Sequence, residues 1–383
     1  MMERSTRGMA LAGSLLLAGC LGYLDADDPA GDGGPQTWPA HDGGAPSDAA
    51  IVASDAGERD GGGDRDAGVP EPDAGPPDPC AGVSCGENAS CAEGDCRCNP
   101  GFVEMSGACV ALPPGDPAGR TQAEVCDAWR MGRVENASPA WTAGASECAS
   151  GTMAPAAIDD VLRRVNMYRW LAGLGPVGHD ASRHRELMDC AHMMSVNRSL
   201  SHDPPSSWTC YTAGGANAAG RSNIALGYRS PGAAIDGYMA DTGTPSLGHR
   251  RWILNGPLGA VEIGFSASDR PGQCLGVFDR SGTTDRPWTA YPNQGFAPLA
   301  TAAHTWSFHA NSISLGGASV DVVRVSDGAA LAVDAYETGL SGPPPSIGFT
   351  PRGWTPTAGE TYRITIRGTS AGDITYDVIP VDC

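Results

Sequence analysis

A chain of 383 residues is too long for one ordinary core, so two or three folded units are expected once unstructured parts are set aside. It carries 25 Lys and Arg against 44 Asp and Glu, a formal charge of −19, and nowhere shows the basic stretch that nucleic-acid binding needs. No apolar run is long enough to cross a bilayer, the one near the N-terminus included.

Arg4 and Arg7 precede the apolar stretch Met9 to Ala18, which leads into Gly19-Cys20. That order of charge, short apolar run and cysteine resembles a bacterial lipoprotein signal. The resemblance implies an exported chain, lipidated at Cys20 and anchored to a membrane through that residue, in the cell envelope at the outer membrane or cell surface. Residues 21–79 form an acidic linker. Positions 25 to 79 hold 14 Asp or Glu and two Arg, and so carry most of the formal charge. With almost no branched or aromatic apolar groups, this stretch cannot offset its chain entropy and is expected to be disordered. As a flexible coil it spans on the order of 40 Å, enough to lift a folded part off a membrane.

Export to an oxidising compartment favours disulfides. Of 13 cysteines, 12 remain after Cys20, six clustered between Cys80 and Cys109 and six scattered. Both sets are even, as full pairing requires. The cluster reads C-x4-C-x5-C-x4-C-x-C-x10-C, with Asn99-Pro100-Gly101-Phe102 after its fifth cysteine. Residues 80–109 resemble an epidermal-growth-factor-like module, which implies Cys80–Cys91, Cys85–Cys96 and Cys98–Cys109. Spacing alone leaves other connectivities open. So short a segment cannot build a sufficient core and would rely on its bridges.

Residues 110–155 show little periodicity and read as a connector stapled through Cys126 and Cys148. From Ile158 the apolar positions Val161, Leu162, Val165, Tyr168 and Leu171 recur at three and four residues, the face of a helix ending at Gly173. A second helix is expected from about Ala181 to Arg198. A third starts at Ser230-Pro231, an N-cap followed by proline at the first helical position. Asn223 to Leu226, Ala260 to Phe265 and Gln273 to Phe278 read as strands. Helices wrapped on a short antiparallel sheet make an α+β fold in three layers, α/β/α.

The run SNIALGYRSPG, the step Leu200-Ser201-His202 and the sequence Gly248-His249-Arg250 carry a further resemblance. Over residues 156–282 they are similar to the CAP domain of cysteine-rich secretory and pathogenesis-related proteins. Such domains place two histidines and acidic residues in a central cleft, and His202 and His249 occupy the histidine places. Ser222 stands where the family has Glu, with Asn223 beside it. The third helix offers Asp236 and Asp241 as carboxylates and Tyr238 as a lining residue; Tyr211 and Tyr228 are further aromatic candidates.

Two imidazoles at a cleft can bind Zn²⁺, so His202 and His249 are the candidate metal ligands; no other cofactor is expected. No catalytic residue is assigned, since the general base of a hydrolase is missing at Ser222. Asp203 replaces it only if the backbone turns it into the cleft.

Two further patterns are set aside. Gly368-Thr369-Ser370-Ala371-Gly372 fits G-x-S-x-G but falls between two strands and reads as a hairpin turn. His184, Glu186, Asp189 and His192 do not share one helical face and read as a solvated surface. Residues 283–383 alternate as strands, with Tyr362, Ile364 and Ile366 facing Ile374, Tyr376 and Val378 across a Gly-rich turn; a small β-sandwich is expected. Val320, Val322, Val323 and Val325 switch face in a manner consistent with a bulge. Cys274 is one candidate partner for Cys383.

Three functions fit: a surface-displayed module binding a lipid, glycan or protein; a metal-dependent hydrolase of peptide or cell-wall material; or a scaffold presenting the growth-factor-like and β units.

Overall fold

The computed structural model describes residues 79–383, apart from 81, 93, 100, 106, 112–114 and 339–342. The export signal, Cys20 and the acidic linker up to residue 78 lie outside the described residues. What is described mixes helix and strand, as an α+β chain should.

Strands β1 (Ala89–Ala92) and β2 (Asp95–Cys98) form one antiparallel hairpin, β3 (Phe102–Met105) and β4 (Ala108–Ala111) another. Cys80–Cys91, Cys85–Cys96 and Cys98–Cys109 are bridged, the pairing implied by the growth-factor-like resemblance. Among the described side chains from Cys80 to Cys109, Cys91 is the one buried apolar group, so bridges and not a core hold this segment.

The expected connector is instead part of the main core. Helix α1 (Gln122–Gly132) begins in a capping box of Thr121 and Glu124, and the two-residue strands β5 (Trp141–Thr142) and β6 (Thr152–Met153) follow. Val125 and Met153 are buried with the apolar residues of α2 (Pro155–Leu171). A helix contributing so few apolar side chains leaves too sparse a pattern to read from sequence. Along α2 the expected stripe is present, with Val161, Val165, Tyr168 and Leu171 buried. Gly173, at φ +76°, ends it in the left-handed region.

Strand β7 (Gly178–His179), helix α3 (His184–Asn197), helix α4 (Ala213–Ala219), strand β8 (Ser222–Leu226), helices α5 (Pro231–Ala240) and α6 (Gly248–Ile253), and strands β9 (Ala260–Ser266) and β10 (Gly272–Gly276) follow. The sheet order is β7-β9-β10-β8, antiparallel except for β7 beside β9. Strand alternation separates two cores. Ile224 and Cys274 pack with Leu187, Cys190, Ala191 and Met194 of α3 and with Ala218 and Ala219 of α4. In the same row, a side chain at Gly264 would collide with the Leu187 carbonyl. Val261, Ile263, Phe265 and Leu275 pack instead with residues of α2, α5 and α6. Each large apolar side chain so buried is worth roughly 1.5–3 kcal/mol. Cys190–Cys274 ties α3 to β10, and Cys148–Cys210 ties the loop before α2 to the loop before α4.

Beyond residue 287 come β11 (Trp288–Tyr291), β12 (Gly295–Pro298), the single turn α7 (Leu299–Ala302), β13 (Trp306–Ala310), β14 (Ser319–Arg324), β15 (Ala329–Leu331), β16 (Val333–Thr338), β17 (Ser346–Pro351), β18 (Tyr362–Thr369) and β19 (Gly372–Val381). Helix α7 is an element the strand pattern did not reveal. One sheet runs β11-β13-β17-β16 and the other β12-β19-β18-β14-β15. Trp306, Phe308, Ile347 and Phe349 of the first share a core with Val322, Tyr362, Ile364, Ile366, Tyr376 and Val378 of the second. The bulge expected in β14 is absent from its register with β18. Val325 lies beyond the strand end, and the irregularity falls instead between Ile366 and Thr369. Gly368 and Gly372, both at positive φ, make the hairpin turn, so the G-x-S-x-G pattern is no nucleophile elbow. Cys383 pairs with Cys126 and not with Cys274.

Where α6 meets β13 and β17, a buried histidine completes a directed chain of hydrogen bonds. Ser346 Oγ donates to the Pro344 carbonyl and accepts from His309 Nδ1 at 2.8 Å; His309 Nε2 accepts from Ser307 Oγ at 2.9 Å, which itself accepts from Arg250. Burial, then the positive charges of Arg250 and Arg251, hold His309 well below the ordinary imidazole value. The unfolded chain therefore takes up a proton below about pH 6.5 while the folded chain does not, and stability falls as pH falls. We expect loss of up to about 1.4 kcal/mol per pH unit below that point from this group alone. Urea unfolding from pH 7 to pH 4.5 should show a shallower pH dependence in His309→Gln. Equal slopes in both proteins would dismiss His309 as a source of acid sensitivity.

Candidate functional site

Helix α6 begins at Gly248 after Leu247, which takes left-handed backbone at φ 49°, and this break sets His249 in the first turn. Asp241, at the end of α5, is also left-handed, which turns its side chain back toward α6. The His249 Nδ1 lies 2.8 Å from Asp241 Oδ1, and the Asp241 side chain is fully buried. Its other oxygen accepts the Arg250 N–H at 3.1 Å. Acceptance by the carboxylate assigns the proton to Nδ1 and fixes the ring orientation. Nε2 makes no hydrogen bond among the described residues. Tyr238 stacks on the imidazole at 5.2 Å between centroids, and its buried hydroxyl donates to the Asn223 carbonyl at 3.0 Å. Burial drives the Tyr238 hydroxyl well above the usual phenol value, so it remains a donor. Asn223 in turn donates to the His249 carbonyl at 3.0 Å. Asn223, Tyr238, Asp241 and His249 thus form one connected group.

His202 is exposed and sits on the corner between α4 and β8. Its Nδ1 lies 2.9 Å from the Ala219 carbonyl, and Ser222 Oγ donates to the neighbouring Ala218 carbonyl at 2.8 Å. Asn223 follows Ser222 on the strand, so β8 joins the His202 corner to the His249 group. Ser222 and Ile224 share the sheet face toward α3 and α4, whereas Asn223 faces α5 and α6.

Asp236 belongs elsewhere. It accepts from Arg133 Nη1 at 2.8 Å, Arg164 Nη1 at 2.5 Å and the Tyr168 hydroxyl at 2.8 Å, tying α5 to α1 and α2. Five residues before Asp241 on a helix of 3.6 residues per turn, it points well away from it, a separation that residue type alone concealed. His184 and His192 also have structural partners: His184 Nδ1 meets the Ile263 carbonyl, and His192, buried and not solvated as expected, meets Ser266 Oγ and the Glu147 carbonyl.

The sequence reading missed three things. Glu262 lies in the row Ser222, Gly276, Glu262 across β8, β10 and β9, its carboxylate lying where a Gly276 side chain would stand. Burial raises its pKa, against the opposing pull of Arg183 and Arg221. Arg250 is fully buried and donates to the Met239, Ala240 and Thr305 carbonyls and to Ser307 Oγ, while Arg251 donates to the Pro343 and Pro344 carbonyls. In sequence these arginines stand beside His249 with nothing local to mark them as clamps. The third is an aromatic pair, Trp252 on α6 and Phe278 after β10, stacked at 4.6 Å.

Among the described residues, no group of three or more His, Cys, Asp and Glu side chains stands close enough to hold a metal ion. A zinc ion on His202 and His249 would have to complete its shell from water or from a ligand. No helix of the described residues is long and apolar enough to cross a membrane, and six disulfides fit an oxidising, extracellular setting.

No curated protein and no solved structure matches the chain. Residues 162–277, from within α2 to just past β10, match the family model of CAP, the cysteine-rich secretory protein family, and this part of the chain is therefore similar to the CAP superfamily.

Proposed function

We propose that the chain is a surface-displayed lipoprotein whose CAP domain binds an extracellular ligand in the cleft between His202 and His249. In this reading residues 1–20 are the signal with lipidated Cys20, 21–79 the tether, 80–109 an epidermal-growth-factor-like module and 110–155 a segment fastened onto the next domain. Residues 156–282 are a three-layer α/β/α sandwich and 283–383 a small β-sandwich. The observation that carries it is Ser222: where a hydrolase would hold a general base, this hydroxyl is spent on the Ala218 carbonyl. What remains is a rigid imidazole, a buried carboxylate behind it and an exposed second imidazole, a set suited to holding polar groups of a ligand.

The rival reading is a zinc-dependent hydrolase. It draws on Asp241, which orients His249 as a second-shell carboxylate orients a metal-bound histidine, and on Glu262 as a carboxylate in the Ser222 row. Calorimetric titration of Zn²⁺ into the untagged, oxidised chain, beside a His202→Ala/His249→Ala double variant, separates the two. The binding reading expects no zinc site tighter than about micromolar and no zinc-dependent turnover. Micromolar binding lost in the double variant, with zinc-dependent hydrolysis of peptide or cell-wall material, would replace it with the hydrolase.

A further inference from the structure

The observations that point to a ligand class lie on α6 and on the chain that continues β10. Trp252 follows His249 by three residues, so both lie on neighbouring faces of α6. Its ring is stacked on Phe278, with centroids 4.6 Å apart and planes 26° apart. Trp252 backs one face of the Phe278 ring, yet Phe278 remains 42 % exposed, so the exposure belongs to its outer face and rim. Arg280 brings its guanidinium to 6.0 Å from the Trp252 ring.

Backbone contacts place the same ring near the other histidine. Val277 donates its N–H to the Arg221 carbonyl at 3.2 Å, so the chain entering Phe278 runs beside the α4–β8 corner. On that corner a side chain at Gly220 would come within 3.3 Å of the His202 carbonyl oxygen, and Ala219 holds the His202 ring. Phe278 therefore lies on the strand continuation between the His202 corner and α6. The CAP match ends at residue 277, so this ring is a feature of the present chain beyond the matched segment.

We propose that this aromatic pair is a stacking platform for a neutral oligosaccharide of equatorially substituted pyranose rings. The inference rests on the binding reading above. Such a sugar has a face of axial C–H groups that lies flat on an aromatic ring and a rim of hydroxyls that needs polar partners. Phe278 backed by Trp252 supplies the first, and His249, the exposed His202 corner and Arg280 supply the second. A lipid fits these observations less well. An enclosed lipid needs an apolar cavity of several hundred Å³, whereas Phe278 is an open surface; the apolar cavity lined by Tyr168, Leu171 and Tyr291 holds about 10 Å³, room for one water, and the larger one of about 530 Å³ is lined by the charged Arg133, Glu135, Arg164, Arg229 and Asp236. About −7 of the formal charge of −19 lies outside residues 25–79, a negative balance that gives an acidic polymer no net attraction.

The test titrates the oxidised, unlipidated chain with chitohexaose and cellohexaose by calorimetry, beside Phe278→Ala and Phe278→Tyr. Vesicles of phosphatidylcholine and phosphatidylglycerol are assayed separately by flotation. One hexasaccharide should bind, with affinity about tenfold weaker in Phe278→Ala and retained in Phe278→Tyr, while melting falls by no more than about 5 °C in Phe278→Ala, so that the variant is folded at the titration temperature. Failure of both sugars to bind, or equal binding by Phe278→Ala, overturns the saccharide assignment. If vesicles bind instead, and His202→Ala/His249→Ala abolishes it, the cleft is a binding site for lipid: the function stands and this inference falls. Zinc-dependent cleavage of a hexasaccharide that still requires Phe278 would leave the platform standing and overturn the binding reading.

Discussion

Replacing Arg250 with Met should destabilise the chain by about 3–5 kcal/mol, the cost of breaking a fully buried charge network. The side chain fills one site with four donations, to the Met239, Ala240 and Thr305 carbonyls and to Ser307 Oγ, and stacks its guanidinium 4.1 Å from the Tyr291 ring centroid. Burial lowers its pKa, the electrostatic mark of a cation kept from water. Met preserves apolar volume but leaves three carbonyls and one hydroxyl without their donor in a dry interior. Two of those carbonyls end α5, next to Asp241, so the His249 orientation should loosen as well. Melting by circular dichroism should report a loss of roughly 10 °C, taking about 2–4 °C per kcal/mol for a domain of this size. A variant within 1 kcal/mol of the parent would show that water or local repacking satisfies these groups. Arg250→Lys should recover only part of the loss, because an ammonium cannot reproduce the planar fork.

Removing the Cys126–Cys383 bridge is expected to cost about as much, by a different route. The two cysteines are 257 residues apart in sequence, and restricting so long a loop in the unfolded chain is worth about 5 kcal/mol in the chain-entropy description. The bridge also pins the end of the chain, two residues beyond β19, to α1. Cys126→Ser/Cys383→Ser should melt well below the parent under oxidising conditions, while the Cys80–Cys91 bridge, with a separation of 11 residues, should matter less to the melting of the main core. Equal melting with and without the long bridge would mean that the packing of α1 on β12 and α2 suffices by itself.

Legibility differed by element for physical reasons. The α2 stripe and the Ser230-Pro231 helix start were readable because local spacing and capping decide them, and Ser230 Oγ indeed accepts the Ala233 N–H at 3.1 Å. The three growth-factor-like bridges followed from resemblance alone, because cysteine spacing leaves the connectivity open. Helix α1 was not readable as core, because its burial comes from α2 and β12 and not from its own pattern. At the site, His249 was named from the resemblance and Asp241 as one of two candidate carboxylates, and the structure pairs these two. Asp236, chosen on the same grounds, went to Arg133 and Arg164, because which carboxylate meets which base depends on rotation about α5 and on the left-handed turn at Asp241.

By itself, the order of residues determined the acidic composition, the even cysteine set, the helix starts and the strand alternation, all properties of neighbours in the chain. The tertiary structure alone decided that Cys126 meets Cys383, that Arg250 and Arg251 clamp the C-terminal strands, and that Phe278 lies against Trp252. Those contacts join positions far apart in sequence or turn on solvent exclusion, and no local periodicity records them. Burial is a property of the assembled layers, so an arginine beside a histidine reads as surface until a sheet closes over it.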